Sequence, residues 1–154
     1  MTCVIASMKL KLIAADSRES VNGVHYQVPK LFTYAGKAYG LAGDSWMGGQ
    51  FETWVKSGFD DSKKPDWSGI KEDESFDALE ISAAGIRRWD KHLASWPVSE
   101  PKWIGIGNGS DLAIGALEAG ASIEDAFEIV FRRNGLCGPP IRTITLADIR
   151  KGVA

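Results

Sequence analysis

Thr2-Cys3-Val4-Ile5-Ala6-Ser7, with Lys9-Leu10-Lys11-Leu12-Ile13-Ala14-Ala15-Asp16 behind it, reads as two consecutive strands. The first run is rich in β-formers. In the second, Leu10 and Leu12 alternate with Lys9 and Lys11, and the run then turns wholly apolar. That pattern suits a strand buried first on one face and then on both. Chain termini usually fray unless a sheet holds them. A strand that begins at the head of the chain therefore holds residue 2 in a fixed place.

Outward from this pair, Asp16 to Gly23 is polar and turn-like, with Ser17, Ser20, Asn22 and Gly23. Lys30 to Tyr34 and Lys37 to Ala42 read as a hairpin turned at Ala35-Gly36. The spacing of Met47, Phe51, Trp54 and Val55 predicts a helix from Ser45 to about Ser57. In residues 57–76, nine of 20 positions are charged and Pro65 and Gly69 interrupt them, so this stretch reads as a solvated connection with at most one helical turn. Strand signals return at Ala78–Ser82, Gly85–Trp89 and Lys102–Ile106. Helices follow over 109–120 and 122–134. Ser122 with Asp125 fits a capping box, Arg132 and Arg133 suit the negative helix end, and Gly135 suits the position just beyond it. Ile141 to Leu146 is a last β-like run. Strands, helix, strands, two helices and a strand, with no boundary between them, suggest one α+β domain over residues 1–154 with antiparallel sheets packed beneath helices.

Composition bounds the function. The chain has 154 residues and a net charge of −2, from 18 Lys and Arg against 20 Asp and Glu. That argues against a basic nucleic-acid surface and against a polybasic membrane binder. No apolar run approaches the ~20 residues that span a bilayer. Lys9 and Lys11 interrupt the first apolar stretch, so it does not read as a signal peptide. Cys3 and Cys137 have no zinc or redox spacing and read as free thiols of a reducing compartment, which makes the expected location cytoplasmic. His25 and His92 have no partners at metal-ligand spacing, so neither a metal nor a cofactor is expected. Gly105-x-Gly107 lacks a glycine at position 110, and a dinucleotide fingerprint fails there. The six tryptophans read as core or interface packing.

Thr2 is the first candidate for chemistry. Methionine aminopeptidases remove Met1 when the next side chain is small, which would make Thr2 the mature N-terminus. A threonine with a free α-amine carries a nucleophile and a base in one residue, since that amine has an unperturbed pKa of ~7.7–8.0. Taken singly, the other candidates also have plain readings. Asp16 ending a strand is a turn residue, Lys30 opening one is a surface lysine, and Ser110 caps a helix.

Together these pieces resemble the β-type subunits of the proteasome and the bacterial proteasome-like peptidase that works with an ATP-dependent unfoldase. Both are N-terminal nucleophile hydrolases. The likeness rests on Thr2 opening a strand, Ala14-Ala15-Asp16-Ser17-Arg18, and Lys30 opening the third strand. It also rests on Gly40-Leu41-Ala42-Gly43, Ile106-Gly107-Asn108-Gly109-Ser110 with its Ala-rich helix, and the closing helix–strand unit at 122–146. The resemblance implies a four-layer αββα sandwich of two antiparallel sheets and a threonine-type peptide hydrolase. In it Thr2 is the nucleophile, Lys30 the cation beside it, and Asp16 the partner that holds Lys30. The Gly43 amide serves as oxyanion donor, and Ser110 fixes the α-amine. By the same analogy Val28, Leu41 and Ser45 line the pocket for the substrate side chain, which points to apolar side chains. The resemblance further implies peptide or unfolded-protein substrates, a homo-oligomeric ring and an ATP-dependent unfoldase partner.

The chain also departs from the family. Asn134 stands where an Asp is expected and Cys137 where a Ser is expected, and the charged 57–76 connection stands in place of the second helix of a pair. Asn134 supplies no charge, and a thiol is a weaker hydrogen-bond partner than a hydroxyl. Two alternatives therefore stay open: a non-catalytic assembly subunit of the same fold, and a small-molecule amidase of the N-terminal nucleophile class.

Overall fold

A computed structural model of the chain describes residues 2–99 and 102–151. Val4–Ser7 (β1) and Leu12–Ala15 (β2) pair antiparallel, with Ile104–Ile106 (β10) beside β1 and Arg142–Thr145 (β11) beside β2. A second antiparallel sheet takes Leu31–Tyr34 (β5), Lys37–Gly43 (β6), Phe76–Ser82 (β7), Gly85–Asp90 (β8) and Ser95–Val98 (β9) in that order. Arg18–Val21 (β3) and Val24–Gln27 (β4) form a hairpin of their own.

The strand period sorts the side chains into layers. Val4, Ala6, Ile13 and Ala15 of the first sheet meet Leu31, Ala38, Leu79 and Ile81 of the second. The opposite face of the first sheet, with Cys3, Ile5 and Ala14, lies under Ser110–Glu118 (α2) and Ile123–Arg133 (α3). The opposite face of the second, with Phe32, Tyr39, Phe76 and Trp89, lies under Ser45–Lys56 (α1). The result is the expected αββα sandwich.

Gly40 lets the two sheets approach. A Cβ there would stand 2.5 Å from Val4 Cγ1 and 2.9 Å from Ile13 Cδ1. Val4 is stiff at χ1 and has little freedom to yield. Gly40→Ala is expected to cost about 1–3 kcal/mol by overpacking. Urea titration should show a lower midpoint with an unchanged slope.

Several local readings need correction. Met8–Lys11 is a turn, with Lys11 at a φ of 54°, so β2 starts only at Leu12. The polar stretch after Asp16 is a strand of the β3–β4 hairpin, turned at Asn22 (φ 51°) and Gly23 (φ 79°). Both central residues have the positive φ of a tight two-residue hairpin turn. Beyond α3, Asn134 is extended and Gly135 is not left-handed. The glycines that close helices in the left-handed region are Gly58 (φ 78°), after α1, and Gly120 (φ 99°), after α2. β9, the short helix Leu146–Lys151 (α4) and a single 3₁₀ turn at Asp61–Lys63, the one helical turn in the charged connection, complete the elements among the described residues. Ser122 caps α3 as expected, accepting the Asp125 amide at 3.0 Å. No helix among the described residues is long and apolar enough to cross a membrane.

Candidate active site

Asp16, at the end of β2, is fully buried. The Cys3 amide and the Lys30 ammonium both donate to its Oδ1, each at 2.9 Å. The Arg18 and Gly138 amides both donate to its Oδ2, each at 3.1 Å. A carboxylate buried this deeply is tolerated when its lone pairs are filled. One oxygen thus ties the Lys30 ammonium to the backbone next to Thr2.

Thr2 is 6% exposed and Lys30 8%. The Thr2 carbonyl accepts the Gly109 amide at 3.1 Å. Gly107 makes room for it, with a φ of 81°, and a Cβ there would run into that carbonyl. The Ser110 hydroxyl, at the first turn of α2, donates to the Gly107 carbonyl at 2.8 Å and holds this turn. Gly107→Ala is expected to displace Thr2, giving a lower melting temperature together with lost turnover in any assay of residue 2. Met1, whose removal the resemblance requires, lies outside the described residues.

Strand register aims the Gly43 amide. The Leu41 amide donates to the Lys30 carbonyl at 2.9 Å, toward β5. Two residues on, where β5 has run out, the Gly43 N–H faces the same side by alternation. Asp44 anchors this bend: its amide donates to the Ser75 carbonyl and its carboxylate accepts the Ser75 amide, each at 2.8 Å. Gly43 itself has a φ of 105°, and a Cβ there would collide with the Ser75 carbonyl.

Thr2, Lys30 and Gly43 share one cavity of about 570 Å³, and Val28, Leu41 and Ser45 line it too. Asp16 and Ser110 are not among its lining: Asp16 pairs with Lys30, and Ser110 holds the turn whose Gly109 amide bonds to Thr2. The cavity also holds Glu19, Trp46 and Glu52, which the sequence reading missed. For Glu52 the available signal was helical spacing: Ser45, Gly48, Gly49 and Glu52 are successive neighbours on one face of α1, whereas Glu19 comes from β3. The backbone amides that hold Asp16 carry no side-chain signature at all.

At the two departures from the family pattern, the Asn134 side-chain oxygen accepts the Leu136 amide at 3.2 Å, so it serves its own loop. Cys137 is buried, as is Cys3, and both are free thiols. Burial pushes the Cys3 thiol up, and Cys137 and Asp16 add to the rise. Burial likewise pushes Cys137 up to about 11, with Asp16 adding and Lys30 and Arg18 opposing. Neither thiol is an activated nucleophile.

No protein-family model matches the sequence, and no curated protein does. Solved structures do match. The chain is similar to BPH of Thiobacillus denitrificans in complex with epoxomicin, at 17% identity and a TM-score of 0.69 over 93% of this chain and 97% of that one. It is similar to eukaryotic HslV from Trypanosoma brucei, at 14% identity and a TM-score of 0.64 over 93% and 98%. It is also similar to the helical Anbu assembly of Pseudomonas aeruginosa, at 13% identity and a TM-score of 0.64 over 94% and 80%. The chain carries the proteasome-like fold. In this fold the cavity opens at the ends of β1 and β6, between the β3–β4 hairpin and α1.

Proposed function

We propose that the chain is one proteasome-like domain acting as a threonine-type peptide hydrolase, a subunit of a homo-oligomeric, self-compartmentalised particle in the cytoplasm. The observation that carries this reading is the convergence of Thr2, Lys30 and Gly43 on one cavity, with Lys30 held by buried Asp16.

Once Met1 has left, the Thr2 hydroxyl attacks the peptide carbonyl while its proton passes, by way of a water, to the α-amine. Lys30 stabilises the negative charge that gathers on the hydroxyl oxygen. The Gly43 amide takes the developing oxyanion. The C–N bond breaks as the protonated α-amine returns its proton to the leaving amine, which leaves an ester on Thr2. A water, deprotonated by the same amine, then releases the acid and restores the hydroxyl. Ser110 steadies the turn that holds Thr2. Peptides or unfolded chains are the substrates, and the helical assembly reported for Anbu supports a multi-subunit particle.

A second reading, a non-catalytic subunit of the same fold, is favoured by Asn134 and Cys137, which supply neither a carboxylate nor a hydroxyl near Thr2. The intact mass of protein from its native host separates the two. Loss of one methionine residue supports the hydrolase, and full retention of Met1 supports the non-catalytic subunit.

A further inference from the structure

We propose that the cavity beside Thr2 takes a long, positively charged substrate side chain, lysine or arginine, and that Glu52 and Glu19 read its charge. The inference rests on the peptide-hydrolase reading and names its substrate class.

The cavity runs along α1. Ser45, two residues beyond Gly43, marks the end nearest the reacting groups. Glu52 lies seven residues further on the same face, about 10 Å along the axis. Helical side chains lean toward the N-terminus, so Glu52 reaches back toward Ser45. Between them stands Gly49, in the middle of a helix that glycine disfavours. A Cβ at Gly49 would meet nothing within 4 Å, so this stretch of the wall is open space. Val28 and Leu41 offer an apolar path along it. An apolar stem with a charged head is the form of a lysine or arginine side chain.

The charges fit such a guest. Lys30 is held at 2.9 Å by Asp16. The Arg18 guanidinium donates to the Gly135 carbonyl at 2.9 Å. Asp44 accepts the Ser75 amide. Glu19 accepts the Ser45 hydroxyl, which ties the β3–β4 hairpin to α1 across the cavity and places a carboxylate there. Glu52 pairs with Lys56 at 2.6 Å, but Lys56 is half exposed and its ammonium also lies 5.6 Å over the Phe32 ring. An exposed pair one turn apart is weak and readily exchanged for a guest cation. An acidic guest would meet two like charges, and an apolar one would strip water from both carboxylates and supply no hydrogen-bond donor in its place.

The test compares matched fluorogenic peptides with Arg, Leu or Glu before the scissile bond. Arg is expected to exceed Leu in kcat/KM by roughly tenfold or more, with Glu lowest, and Glu19→Gln/Glu52→Gln should lower the Arg-to-Leu ratio by about tenfold. A second arm titrates Thr2→Ala protein with acetylated peptides ending in Arg, Leu or Glu. The Arg peptide should bind tightest, and salt should weaken it most. Turnover that favours Leu, with a ratio unmoved in the double variant, overturns this inference and leaves the hydrolase reading standing. Absence of turnover on every peptide overturns the hydrolase reading, and the binding arm still decides the charge preference. Equal binding of all three peptides overturns the inference as well.

Discussion

Thr2→Ala protein is expected to fold like the wild type and to lose peptide turnover by roughly 10⁴-fold or more, the scale seen when a covalent nucleophile is removed. The bonds that place residue 2 come from the backbone: the Thr2 carbonyl accepts the Gly109 amide, and the neighbouring Cys3 amide donates to Asp16. Alanine keeps both. Alanine is also small, so removal of Met1 is unaffected. The loss therefore isolates the hydroxyl. Far-UV circular dichroism and melting check the fold, and fluorogenic peptide hydrolysis checks the activity. Turnover within tenfold of wild type takes Thr2 out of the mechanism.

Asp16 and Lys30 form a buried pair, yet their variants should behave differently. Asp16→Ala leaves the Lys30 ammonium without its carboxylate and also strips the Cys3, Arg18 and Gly138 amides of their acceptor. Breaking a buried pair from one side costs about 3–5 kcal/mol. The three deserted amides place Asp16→Ala at the upper end of that range, and the 134–138 loop should loosen with β1. Lys30→Met keeps the three amides on Asp16, so its stability loss should be smaller, about 1–3 kcal/mol. Its activity should nevertheless fall by roughly 10³-fold, as when a preorganised charge is withdrawn from a transition state. Chemical denaturation beside turnover resolves the contrast: Asp16→Ala is chiefly a folding defect and Lys30→Met chiefly a catalytic one. Equal destabilisation by both would mean that the amides contribute little.

These contrasts mark what was legible in the sequence. β1, β2 and the β5–β6 hairpin could be read because they are short apolar runs bounded by turn residues, β1 and β2 being buried on both faces; the alternation of Lys9 to Leu12 misled, since Met8–Lys11 is a turn. α3 could be read because Ser122 and the apolar stripe agree. The β3–β4 hairpin was harder. Its strands are short and largely exposed, with Val21, Val24 and Tyr26 facing solvent, so no apolar pattern marks them. Asn22-Gly23 was the available signal. β9 hid behind Pro97, which an edge strand tolerates and a central one does not. In the site, Thr2, Lys30, Gly43 and Ser110 announced themselves as residue types at strand and helix ends. The donors on Asp16 did not, because Gly138 reaches it from more than a hundred residues away through a backbone amide. Glu19 and Glu52 entered only once the hairpin and α1 were set face to face.

Incubation with a peptide epoxyketone, followed by intact mass and peptide mapping, bears most directly on the nucleophile. The expected product is a chain lacking Met1 and carrying one inhibitor on Thr2, with no adduct on Thr2→Ala protein. A chain that has lost Met1 yet stays unmodified, or an adduct placed on any other residue, would contradict the assignment.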